Sequence, residues 1–290
     1  MFDAFAAWLR EQDRSAVTIR GYLSDLARFA AWFRLTHGQD LAPGEITPAD
    51  VREYRGWLQA VQKASAATVR RRLMALRAYC RWAVQAGYLA ADPTAAVKAP
   101  RETELSPRWL TKQEQWRLVR EAERRVNAAD TPMRRYQAVR DWALVVLLLH
   151  TGLRVSEAAA LEVGDVQMGE RSGWLLVRGG KGSKNRKVPL NAEARQALTA
   201  WLGVRGEQGG ALFGLSARRM QGVLAALGRR AGVAVHPHTL RHTLAKNLVD
   251  AGVGLHEVAA LLGHSSLNTT RVYVTPGERD LEQAVRRLEG

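Results

Sequence analysis

The chain has 290 residues, of which 43 are lysine or arginine and 28 aspartate or glutamate, for a formal net charge of +15. Solubility alone needs nothing so large, so the excess points to a polyanionic partner. The single cysteine, Cys80, excludes an internal disulfide and a cysteine-rich zinc site.

The length suggests two domains. At the amino terminus, MFDAFAAWLREQDR lacks the basic start and small-residue cleavage site of a secretory signal. No apolar run reaches the roughly 20 residues that a membrane span needs, so a cytoplasmic protein without a membrane partner is expected.

Residues 1–95 read as helices. In AVTIRGYLSDLARFAAWFR, the residues Ile19, Tyr22, Leu26, Phe29 and Trp32 fall at steps of three and four and make one apolar face. Thr47 followed by Pro48 reads as an N-cap with proline at the first helical position. From Ser65 to about Gln85 another helix turns Val69, Leu73, Leu76, Tyr79 and Ala83 inward. Arg70, Arg71 and Arg72 are consecutive on it and cannot share one face; they face either solvent or backbone phosphates. Residues 91–110 hold three prolines and no apolar period, and a linker is expected over 96–111.

Thr111 and Glu114 have capping-box spacing and open a second domain over 112–290. A long buried helix is expected from about Pro132 to His150, closed by Gly152. Two strands follow, Trp174–Arg178 and Arg186–Leu190, joined by the glycine-rich turn GGKGSKN. Helices dominate from Asn191 onward, interrupted by a short strand at Ala211–Phe213. The expected fold class is mainly α with a small β-sheet.

The chemistry concentrates in HPHTLRHT, residues 236–243. His238 and His242 are four apart on an expected helix, the spacing of a zinc-binding pair. The metalloprotease pattern needs glutamate where Thr239 stands, and Arg241 would oppose a cation, so no metal is expected. An anion site fits better. His238 and Arg241 lie one turn apart, and a guanidinium offers a planar fork that matches two phosphate oxygens. Three further stretches reinforce that reading. TGLRVSE sets Arg154 just after Gly152, with Glu157 three residues on to orient it. GKGSK sets Lys181 on a tight turn, in a chain whose seven lysines include three at 181, 184 and 187. LGHSSLNTTRVY gives His264 past a helix end and Tyr273 nine residues later.

With TGLRVSE, GGKGSK, HTLRH and LLGHSSLNTTRVY in this order, the chain resembles the tyrosine recombinase (phage integrase) family over essentially its whole length. Among its members it looks most like the short Xer-type recombinases, with no arm-binding domain expected before residue 1. Thr275 departs from the pattern, since many Xer proteins carry histidine there. The resemblance implies a two-domain DNA clamp: a helical core-binding (SAM-like) domain over 1–95 and a mixed α/β catalytic domain over 112–290. It also implies site-specific cleavage and rejoining of DNA through a 3′-phosphotyrosyl intermediate, in Xer-like strand exchange or mobile-element integration and excision, with no cofactor.

Carried over residue by residue, Tyr273 is the nucleophile and Lys181 the acid that protonates the departing 5′ oxygen. Arg154 and Arg241 stabilise phosphate charge without a metal, and His238 and His264 share proton transfer and hydrogen bonding. Arginine, with a pKa above about 12, would be a poor acid, which suits lysine to the other role. Glu157 and His242 are supporting residues; Arg70, Arg71, Arg72, Lys184 and Lys187 are expected DNA contacts. The partners implied are double-stranded DNA and further copies of the chain, four on two sites, with or without a second recombinase. The terminal segment, with Leu281, Ala284, Val285 and Leu288 on one stripe, is implied to dock on a neighbouring protomer. Two alternatives stand beside this reading: strand relaxation of the type IB topoisomerase kind, and a DNA-binding regulator with a silent site.

Overall fold

The computed structural model describes residues 2–100, 108–179, 185–206 and 208–263, in two compact units, Met1–Leu105 and Ser106–Gly290. Lys181, Lys184, His264, Tyr273 and the expected terminal helix lie outside the described residues.

The first unit is built on α1 (Phe2–Glu11), α2 (Ala16–His37), α3 (Pro48–Ala60) and α4 (Ala66–Gln85). Ser15, Thr47 and Ser65 cap the last three, each hydroxyl accepting a backbone N–H three residues on. Ile19, Leu26, Phe29 and Trp32 of α2 are buried with Val69, Leu73, Leu76, Tyr79 and Ala83 of α4, as their spacing predicts, and Tyr22 packs beside them partly covered. Past α4 the chain stays attached. Val97 is buried in this core, its carbonyl accepts from Arg77 Nη2, and the Lys98 carbonyl accepts from Arg55 Nη1.

The second unit comprises α5 (Lys112–Asn127), α6 (Pro132–Thr151), α7 (Val155–Ala160), β1 (Val166–Met168), β2 (Gly173–Val177), β3 (Arg186–Pro189), α8 (Ala192–Arg205), α9 (Ala217–Ala231), α10 (Pro237–Asp250) and α11 (Leu255–Leu262). The expected capping box is present: Thr111 and Glu114 exchange hydrogen bonds at the start of α5. α6 is the axis of the unit. Ala143 through Leu149 are buried on every side, which suits a helix that others surround, and Gly152 ends it with φ of 62°. A hydrogen bond from Leu110 N to Thr243 Oγ1 ties the entering chain to α10.

The sheet is an antiparallel meander, β1-β2-β3, with Val166 opposite Leu175 and Leu175 opposite Val188. Its first strand has three residues, too few for a period-two pattern to announce it. Gly173, Leu175 and Val177 are buried in alternation along β2. Ala211–Phe213 is not a strand. Ala211 makes a single bridge to Glu162, and Leu212 and Phe213 are buried in irregular chain beside Trp201. A short apolar run signals burial, and burial here needs no ladder. Among the described residues no helix is long and apolar enough to cross a membrane.

Candidate active site

Arg154 takes its place from two local features. The left-handed Gly152 turns the chain sharply out of α6, and Arg154 then starts α7 in extended conformation, with φ of −66° and ψ of 146°. Its backbone N–H donates to Glu157 Oε2 at 2.7 Å, and its Nη1 donates to Glu157 Oε1 at 3.0 Å. The spacing of three thus brings the Glu157 carboxylate against both the backbone and the side chain of Arg154.

Glu157 has a second partner that no spacing announced. Arg186, the first residue of β3, donates from Nη1 and Nη2 to the two Glu157 oxygens, both at 2.9 Å. This is the bidentate arrangement in which arginine–carboxylate pairs are strongest. Burial pushes the Glu157 carboxyl up, but hydrogen bonds from Arg186 and from the Arg154 backbone outweigh it and hold the group below its ordinary range.

Arg241 lies on α10, one turn beyond His238. Its side chain is buried, 4% exposed, and its fork rests on two backbone carbonyls: Nη1 on Gly152 at 2.7 Å and Nη2 on Leu262 at 2.8 Å. His238 is exposed, and His242 is half-buried with its ring centroid 6.4 Å from that of His238. Burial, then His238 and Arg241, depress the His242 imidazole below its ordinary value. Among the described residues no three His, Cys, Asp or Glu side chains gather in the way a metal ion requires.

The three guanidinium groups meet at the carboxyl end of α11. Arg186 Nε donates to Leu261 O at 3.2 Å, Arg241 Nη2 to Leu262 O, and Arg154 Nη2 to Gly263 O at 3.4 Å. A helix leaves its last carbonyls without intrahelical donors, and they form the negative end of its dipole. Three cations therefore suit this place, and Glu157 is the one carboxylate that pairs with Arg154 and Arg186 among the described residues. Arg154 is the most open of the three, 41% exposed. Gly263 turns the chain away with φ of 68°, immediately before residue 264.

The remaining expected contacts divide. Arg71 and Arg72 both turn to the buried carboxylate of Asp25 on α2, with Arg72 at 4.0 Å. Arg70 instead lines a surface groove of about 270 Å³ with Tyr22, Met74, Arg77 and Arg81. Lys187 holds its ammonium 4.0 Å from the centre of the Trp174 ring, a cation–π contact on the sheet.

Comparison with known proteins adds a second line of observation. Residues 108–279 match the model of the phage integrase family, and residues 2–87 match the phage integrase N-terminal SAM-like domain. The chain is 37% identical to tyrosine recombinase XerC of Mycobacterium bovis (strain BCG / Pasteur 1173P2), over 94% of this chain and 93% of that protein. Among solved structures it superimposes with a TM-score of 0.75 on XerH recombinase bound to a palindromic difH substrate, at 21% identity, covering 96% of this chain and 82% of that one. A lambda integrase (residues 75–356) dimer bound to a COC′ core site gives a TM-score of 0.72 at 18% identity, covering 96% and 95%. At those identities the two structures speak for the fold.

Proposed function

The chain belongs to the phage integrase family and is a tyrosine-type site-specific DNA recombinase, and from that premise we propose the following division of labour in its site. The observation that carries it is that Arg154, held by Glu157, and Arg241, resting on the Gly152 carbonyl, both reach the last carbonyls of α11.

The Tyr273 oxygen attacks the scissile phosphorus, forming an O–P bond as the bond to the 5′ oxygen breaks. Lys181 gives its proton to that departing oxygen. Arg154 and Arg241 stabilise charge on the non-bridging oxygens, a preorganised electrostatic role, and His238 and His264 hydrogen-bond the phosphate and relay protons. Glu157 holds Arg154 in place, and His242 supports the α10 face. A free 5′ hydroxyl then attacks the phosphotyrosine and restores a phosphodiester, so bond energy is kept and no nucleotide cofactor is consumed. Residues 1–95 form the core-binding domain and 112–290 the catalytic domain, joined by a linker, and each binds duplex DNA. Arg70 in its groove, Lys184 and Lys187 contact the DNA backbone, while Arg71 and Arg72 serve the first unit through Asp25. The protein acts in the cytoplasm as an oligomer on DNA, four protomers on two sites.

The test is Tyr273→Phe, which removes one hydroxyl. On a nicked suicide duplex the variant binds as the unaltered chain does and forms no covalent adduct. An adduct that survives denaturing electrophoresis in the variant places the nucleophile elsewhere.

A further inference from the structure

We propose that Arg186 is a positioning residue for cleavage, setting the pose of Arg154 and bracing the turn at Gly263 at once, with Glu157 as the acceptor it shares with Arg154. The inference rests on the recombinase reading above and adds to it a residue outside the six principal catalytic positions.

Four observations support it. Arg186 is only 17% exposed, and a guanidinium so covered has to be matched by specific acceptors. Both its terminal nitrogens are on Glu157, and its Nε is on Leu261 O. The same two Glu157 oxygens hold the Arg154 side chain and backbone. A carboxylate gripped from one side only can turn about its own χ angles and take Arg154 with it; gripped from both sides it cannot. Finally, the guanidinium lies flat against the turn at Gly263, where a Cβ would stand 3.0 Å from Arg186 Cζ and Nη1.

The connectivity gives this geometry its significance. Arg186 opens β3, and Lys181 precedes it by five residues in the sequence. Glu157 and Arg154 start α7, and Leu261 to Gly263 end α11, one residue before His264 and ten before Tyr273. One side chain thus touches the start of a strand, the start of one helix and the end of another, and each adjoins a segment that carries a proposed catalytic group. An ion pair with a purely structural task would not need this convergence, since buried pairs give little net stability over apolar replacements of similar volume. Displacing a reacting group by about 1 Å, in contrast, can cost on the order of 10²-fold in rate.

The experiment uses the full chain and a nicked suicide duplex built on the site that the purified protein selects from random duplex DNA. Arg186→Met, Arg186→Lys, Glu157→Gln and the Glu157→Gln/Arg186→Met double variant are compared for DNA affinity, for urea unfolding, and for single-turnover adduct formation at saturating protein. Arg186→Met is expected to bind DNA within about threefold of the unaltered chain and to form adduct roughly 10- to 100-fold more slowly. Arg186→Lys restores part of the rate. The double variant is no slower than the slower single one, because both act through one link. Adduct formation by folded Arg186→Met within threefold of the unaltered rate overturns the proposal, as does strict additivity in the double variant. Should Arg186→Met fail to fold, Arg186→Lys decides: slowed cleavage with unchanged affinity supports the proposal, and an unaltered rate overturns it. The unaltered chain is the control for the reading beneath. If it binds its site and forms no adduct, the recombinase reading falls and this proposal with it; if it forms adduct, only the variants bear on Arg186.

Discussion

Nη1 of Arg241 donates to the carbonyl oxygen of Gly152 at 2.7 Å, joining residues 89 positions apart in the chain. Through its other terminal nitrogen the same guanidinium holds Leu262, so one buried side chain fastens the ends of α6 and α11 to the middle of α10. Arg241→Ala removes two charged hydrogen bonds and leaves buried carbonyls without them. The expected cost is about 2–4 kcal/mol of stability, read from urea unfolding, together with loss of adduct formation. Arg241→Lys keeps the charge but has no fork to span both carbonyls, so it should recover part of the stability and little of the cleavage. Cleavage by Arg241→Lys at the unaltered rate would refute the fork's role.

Gly152 offers a separable test of backbone and packing. Its φ is 62°, and a Cβ added there would lie 2.6 Å from Leu262 Cδ2 and 2.9 Å from Leu244 Cδ2. Gly38 ends α2 with φ of 73° and has nothing within 4 Å of the same position. Gly38→Ala should therefore cost only the left-handed backbone penalty, about 1 kcal/mol. Gly152→Ala should cost that and an overpacking penalty of about 1–3 kcal/mol more. Urea unfolding, followed in the unit that carries each substitution, gives both numbers; equal costs would mean that the Leu262 and Leu244 side chains can turn aside to make room.

The roles proposed for Lys181 and Arg154 separate by leaving group. A duplex with sulfur in place of the bridging 5′ oxygen needs no proton on departure. Lys181→Ala should be slow on ordinary DNA and close to normal on the sulfur substrate. Arg154→Ala should be slow on both, because charge on the non-bridging oxygens develops in either case. Equal rescue of the two variants would erase the distinction.

His242 and His150 make stability depend on pH. Burial, with His238 and Arg241, depresses His242; burial, with Lys112 adding to it and Glu193 opposing, depresses His150. A depressed imidazole takes up its proton more readily in the unfolded chain, whose histidines titrate near about 6.5. The stability these groups contribute is complete above that value and is lost as pH falls towards their folded values. The melting temperature should therefore drop as pH is lowered from about 7.5 to 5.5, and His242→Gln should drop less steeply. An identical slope in the variant would assign the effect to other groups.

What could be read from the sequence was what depends on near neighbours. Thr47 and Thr111 announced helix starts because a cap and the residues that mark it, Pro48 in one case and Glu114 in the other, lie within three positions. Arg154 and Glu157 were legible for the same reason. Arg186 was not: its acceptor is 29 residues away, and nothing in the pattern of a β-strand marks a side chain destined to reach a helix start. Arg71 and Arg72 gave no hint of Asp25, which lies 46 residues before Arg71 on another helix. Lys187 gave no hint of Trp174, since cross-strand neighbours follow from register, and register follows from a turn whose geometry the sequence only outlines.

Gly263 and Arg186 occupy adjoining volumes in the fold, the bare backbone of one being the seat of the other's guanidinium. A side chain gained at 263 would press on the arginine and also strain a backbone with φ of 68°, so an arginine lost at 186 would lift only the first of two reasons for glycine there. Arginine at 186 should therefore be accompanied by glycine at 263 among relatives that share this arrangement. A chimera that grafts one recombinase's carboxyl-terminal segment onto another's catalytic body should tolerate the junction only where donor and host agree on both residues.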